Sequence, residues 1–177
     1  FDESTVFLVR TQGVGYTKAE EMVNHGVTGP NVRAAGVDYD VRWAHPYSVY
    51  SELDWAPAVE RSSIKGADCY DRYRVRVTEM VESANMVLEA LERMPGGAET
   101  PYEPGDPAII AKAPARAHEG TCGSHHCEDS RGESMFHIVG GGEGRGKNPY
   151  RVSIRSPMFI TIPYASKCMI GYKVADI

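Results

Sequence analysis

"DCYDRYRVRVTEMVESANMVLEALERM", residues 68 to 94, is the longest stretch of the chain with a single sustained period. Tyr70, Tyr73, Val77, Met80, Ala84, Val87, Leu91 and Met94 recur at spacings of three and four, the pattern of one apolar stripe along an α-helix. Asp68 is placed to cap the first turn, and "PGG" at 95 to 97 stops the last. The spacing therefore predicts one helix long enough to run across a helical bundle. Arg72, Arg76, Glu79, Glu82 and Glu89 are expected on its solvent or partner face, and its methionines read as core filler.

Around this helix, composition sets the limits. The chain has 177 residues, 42% hydrophobic and 24% charged, enough to bury a core. A net charge of -5 with interspersed signs excludes a basic nucleic-acid-binding face. Apolar runs such as "VFLV" and "MFITI" fall far short of the ~20 residues of a membrane-spanning helix. Cys69, Cys122, Cys127 and Cys168 are irregularly spaced and form no disulfide framework, which favours a reducing compartment. The start at "FDESTVFLVR" and the stop at "GYKVADI" read as a piece of something longer.

Thr17 with Glu20 forms a capping-box pattern for a short helix that Gly26 ends. Residues 95–121 are proline-rich, without a period, and read as an extended connection. "SMFHIV" and "YRVSIR" read as a C-terminal β-hairpin joined by "GGGEGRGKNP", and Pro163 is expected to open a final helix. The fold class is thus α+β, mainly helical, in a single partial domain over 1–177.

Three stretches could carry chemistry. Gly141 to Lys147 match G-x-x-x-x-G-K, but Asn148 and Pro149 follow where a phosphate-binding loop needs Ser or Thr and then a helix, so a hairpin loop is the reading. Cys122, His125, His126 and Cys127 offer thiolate and imidazole donors for a metal such as zinc. Their spacing fits no standard ligand pattern, and in an extended segment adjacent side chains point to opposite faces. In "EDSRGE", Gly132 lets the backbone turn tightly and present the forked guanidinium of Arg131 to a polar or anionic group. Glu128 and Glu133 could orient it or pass protons, while a surface ion pair at a strand start is the structural alternative.

"VTGPNVRAAGVDYDVRWAHPYSVYSELDW", "GADCYDRYRVRVTEM", "EDSRGES", "NPYRVSIRSPMF" and "KVADI" resemble, in order and at compatible spacings, the C-terminal half of the 49-kDa subunit of respiratory complex I. The same blocks are similar to large subunits of membrane-bound nickel–iron hydrogenases, and the resemblance implies part of that hydrogenase-like fold. The family pattern Glu-Ala-Pro-Arg/Lys-Gly-Glu is kept at Glu128, Arg131, Gly132 and Glu133, with Asp129 and Ser130 in place of Ala-Pro. By that resemblance Arg131 is the first functional candidate, in a loop that lines the region between a quinone cavity and the terminal iron–sulfur cluster.

What this implies is an NADH:quinone oxidoreductase core that reduces quinone and couples electron transfer to proton pumping. The quinone would sit at an interface, the iron–sulfur cluster in a neighbouring subunit, and no cofactor on this chain alone. Implied partners are the N-terminal half of the same subunit, the iron–sulfur subunit and other peripheral-arm and membrane-arm subunits, with no nucleic acid. The implied location is the matrix face of the mitochondrial inner membrane or the cytoplasmic face of a prokaryotic one. A group 4 nickel–iron hydrogenase is the alternative, and a non-catalytic structural fragment the second. The chain has no C-x-x-C pair, so a nickel–iron site needs ligands from elsewhere.

Overall fold

The computed structural model describes residues 3–59, 66–94, 119–142 and 148–173. Two groups of elements surround a small core. The N-terminal group begins with α1 (Thr5–Thr11), capped by Ser4, whose Oγ accepts from the Phe7 N–H. A two-residue strand β1 (Thr17–Lys18) leads into α2 (Ala19–Asn24), which ends as Gly26 turns with φ +73°. Then come α3 (Pro30–Ala34) and α4 (Val41–Ala44), the latter capped by Asp40. Strand β2 (Gly66–Ala67) pairs antiparallel with β1 and feeds α5 (Cys69–Arg93).

The expected long helix is present, with a reciprocal capping box. The Asp68 carboxylate accepts from the Asp71 N–H at 2.9 Å, and the Asp71 carboxylate accepts from the Asp68 N–H at 3.2 Å. The Thr17–Glu20 box does not form. Thr17 is spent in β1, and the α2 cap falls at Lys18 without a side-chain hydrogen bond.

The expected apolar stripe of α5 packs only at its start, where Tyr70 and Tyr73 lie against Phe7 of α1, with ring centres 6.3 and 5.0 Å away. Val75 and Met86 are its buried residues, and Arg72 and Glu79 lie on the same inner side. Arg72 donates to the Gly15 and Ala67 carbonyls at 2.8 and 3.1 Å, closing the β1–β2 end over the helix. The stripe of Met80, Val87, Leu91 and Met94 faces outward at 58–65% exposure. Backbone carbonyls sit beneath Arg72, and the Arg33 guanidinium sits beneath Glu79. Within the described residues nothing apolar covers Met80, Val87, Leu91 and Met94.

Strands β3 (Cys122–Asp129), β4 (Gly132–Val139) and β5 (Arg151–Arg155) form an antiparallel sheet in that order. The expected hairpin is therefore β4–β5, and the segment before Arg131 adds a third strand. It pairs in full register, from Cys122 opposite Val139 to Asp129 opposite Gly132. The last helix, α6 (Met158–Cys168), begins five residues earlier than Pro163 would require. Pro157 starts it with a φ of -57°, already helical, and Pro163 is carried inside at the loss of one backbone donor. Met22, Val27, Val32, Ala35, Val75 and Tyr164 meet in the core between α2, α3, α5 and α6. Most of residues 95–121, the glycine loop at 143–147 and all but Lys173 of "KVADI" lie outside the described residues.

Candidate functional site

Ser130 and Arg131 are the two residues of the turn between β3 and β4. The turn rests on the segment that enters α3. Gly132 has φ +127°, and a Cβ there would lie 2.7 Å from Thr28 Oγ1 and 2.8 Å from the Thr28 carbonyl. Gly29, at φ +78°, meets the other side of the same contact, where a Cβ would lie 2.3 Å from the Gly132 Cα. Only two glycines permit this approach. The Glu133 N–H donates to Thr28 Oγ1 at 3.0 Å and locks it.

Beneath the turn lies a buried ionic cluster. Arg33 and Asp40, 2% and 1% exposed, are among the most enclosed charged side chains described. The Arg33 guanidinium reaches Glu79 on α5 at 2.7 Å, Glu128 on β3 at 2.9 Å and Asp40 at 3.2 Å. It also donates to the Tyr39 carbonyl at 3.1 Å. Burial opposes its charge, but the three carboxylates outweigh that, and its pKa is raised. Asp40 binds Arg42 at 2.7 Å, and the Arg42 guanidinium lies 4.8 Å from the Trp55 ring centre.

Glu128 is held on both oxygens, by Arg33 and by the Val41 N–H at 3.3 Å. Burial pushes its pKa up from the ordinary 4.5, Arg33 pulls it down, and Asp40 adds to the rise, leaving it raised. Glu133 turns elsewhere. It binds His126 Nδ1 at 2.5 Å, accepts from Tyr39 Oη at 3.1 Å and lies 3.7 Å from Arg155. Desolvation and the neighbouring Glu133 push Tyr39 up to about 12.

Arg131 is exposed and, among the described residues, has no ion pair with either glutamate. The two glutamates expected to orient Arg131 are instead taken, Glu128 by Arg33 and Glu133 by His126 with Arg155. Arg131 instead borders a cleft of about 620 Å³ with Arg76, Arg42 and Glu128. Such a side chain can bind a carbonyl, carboxylate or phosphate by its fork.

The cysteines and histidines of β3 disperse. His125 packs edge-on against Tyr47 at 5.5 Å, His126 is taken by Glu133, and Cys122 is exposed. Among the described residues no group of three or more His, Cys, Asp or Glu is placed to share a metal ion. Arg33, Tyr39 and Asp40 escaped the reading of the residues as individuals. The available signal was an arginine set among small apolar residues, "PNVRAAG", with no pattern to expose it.

Over residues 1–177 the chain matches the family described as respiratory-chain NADH dehydrogenase, 49 Kd subunit. The chain belongs to that family. It is 39% identical over 192 residues to a subunit of the NADH-quinone oxidoreductase of Flavobacterium johnsoniae, covering 99% of this chain and 45% of that protein. It is 37% identical over 176 residues to the corresponding NADH-quinone oxidoreductase subunit of a Roseiflexus species, with coverage of 99% and 45%. With a subunit of the F(420)H(2) dehydrogenase of Methanosarcina mazei the identity is 36% over 180 residues, covering 99% and 44%. The chain spans a little under half the length of these curated relatives. Among its described residues no helix is long and apolar enough to cross a membrane.

Proposed function

We propose that the chain forms part of the quinone-reducing core of a complex-I-like oxidoreductase, with Arg131 facing the redox cavity at the junction with an iron–sulfur subunit. The match of the whole chain to the 49-kDa family carries this reading. The local geometry supports it: a tight turn anchored by two glycines and an ionic cluster presents, over a polar cleft, a guanidinium without an ion pair among the described residues. The reading includes coupling to proton pumping and attachment to a membrane through other subunits. The electron donor belongs to those subunits, as the differing names of the relatives suggest.

The outward stripe of α5 is where the rest of such a subunit would pack, completing a hydrogenase-like helical bundle. A single amphipathic helix cannot bury its own apolar face. Assaying electron transfer to a soluble quinone analogue in assembled complexes tests the functional reading. Arg131→Ala should lower turnover about a hundredfold, the order seen when a positioned donor to developing charge is removed. Arg131→Lys, which keeps the charge without the fork, should retain more. Turnover at the wild-type rate in Arg131→Ala reduces the turn to ordinary structure. Stoichiometric nickel in the purified complex would point to the hydrogenase instead.

A further inference from the structure

One short segment grips both strands of the Arg131 turn. Thr28 and Gly29 hold β4 through Glu133 and Gly132, and four residues on Arg33 holds β3 through Glu128. Arg33 also ties that grip to α5 through Glu79 and to the α4 cap through Asp40. If filling space were the only demand here, apolar residues of similar volume would serve as well, because enclosing charges is costly. A planar fork with five donors does something apolar packing cannot: it fixes the direction of several carboxylates at once.

We propose that Arg33 is the positioning residue of the Arg131 turn, clamping Glu128 to α5 and to Asp40 so that Arg131 is left for a group outside this chain. The proposal rests on the functional reading above. If Glu128 let go of Arg33, its Oε1 would be available three residues from Arg131 while Oε2 stayed on the Val41 N–H, and a pair between Oε1 and Arg131 would withdraw the guanidinium from the cleft. The clamp also works against the burial that raises the pKa of Glu128. Arg33 favours the charged form, and Asp40 opposes it. Arg42 on α4, Glu79 on α5 and Glu133 across the ladder are the other charged groups around it, with Tyr39 and Tyr47 on the loops.

These opposed influences provide a test that simple loss of packing does not reproduce. In assembled complexes, Arg33→Lys replaces a three-way clamp by one point charge and should lower kcat about ten- to a hundredfold with little change in KM, as misplacement of a catalytic group does. Its acid limb of turnover should move to higher pH, because Glu128 then takes up a proton more readily. Asp40→Asn removes the opposing charge, and its acid limb should move to lower pH. Wild-type kcat with superimposable pH profiles in both variants overturns the proposal, and so does a shift in the same direction in both. Should Arg131→Ala run at the wild-type rate, the functional reading fails by itself. The clamp is then read from melting of the assembled complexes, whose pH dependence must still move in opposite senses in the two variants. If it does not, the clamp fails as well.

Discussion

Glu128 and Glu133 stand directly opposite each other in the β3–β4 ladder, yet their carboxylates go to different partners, Arg33 for one and His126 with Arg155 for the other. Like charges at opposed positions repel, and in a short hairpin that would loosen the turn. Here the divergence makes each strand of the turn a separate attachment. One is buried and built on a guanidinium, the other half-buried and built on an imidazole.

Glu128 gives the first prediction. Its pKa is raised in the folded chain, so the stability linked to its proton is fully present below the ordinary 4.5 and is lost as pH rises through the folded value. Glu128→Gln has no such titration. The melting temperature of wild type minus that of Glu128→Gln, measured in the assembled complex, should fall with rising pH across that window and then level. A difference that climbs over the same range contradicts the sign.

Tyr39 sets the alkaline counterpart. Its hydroxyl donates to Glu133 and its pKa rises from the ordinary 10 to about 12. The linked stability is complete below 10 and lost as pH climbs through about 12. Tyr39→Phe should remove this dependence and leave behaviour at neutral pH nearly unchanged apart from one hydrogen bond, roughly 1 kcal/mol. Equal slopes for wild type and variant across the interval between those two values would rule it out.

Gly132 tests the seat of the turn. Alanine there must hold φ +127° and place its Cβ 2.8 Å from the Thr28 carbonyl. Strain of this kind costs roughly 1–3 kcal/mol, before any displacement of β4 is counted. Gly132→Ala should therefore destabilise the complex and lower quinone-dependent turnover together, whereas Gly123→Ala, where a Cβ meets nothing within 4 Å, should do neither. Parallel denaturation and turnover measurements on the pair decide it.

Leu91, 59% exposed on α5, tests the outward stripe. Leu91→Asp removes no contact in the described core but places a charge where a partner helix would pack. It should abolish co-purification with the other subunits, whereas Leu91→Met, which keeps the face apolar, should not. Normal assembly of Leu91→Asp would mean that the stripe remains in water.

How much of this could be read from the letters differs element by element. The span of α5 was legible because its capping residues and terminator are local, and Asp68 and Asp71 form the box within one turn. Its packed face was not, because periodicity shows that a stripe exists but not that the chain will find something apolar to cover it. Pro163 misled in the same way: proline is favoured at a helix start, but Pro157 reached that role first. At the site, the tight turn at Arg131 and Gly132 was legible in six residues, and the role proposed for Arg131 comes from the resemblance of the family blocks. Arg33 was not evident, because its three carboxylates lie 7, 46 and 95 residues away and no local rule connects them. The Cys and His residues looked like a centre only while the strand's alternation was left out.

The outward apolar face of α5 has a counterpart on the sheet. Phe136, Ile138, Val152 and Ile154 pair across β4 and β5 on one side and are 41–56% exposed. Such surfaces attract other copies as readily as the correct neighbour, and a chain stabilised by its neighbour has no stability apart from the neighbour's concentration. Dosage thus becomes a structural variable. Made in excess, the chain should self-associate or be proteolysed, and its level in a cell should track that of whatever covers those faces rather than the strength of its own promoter.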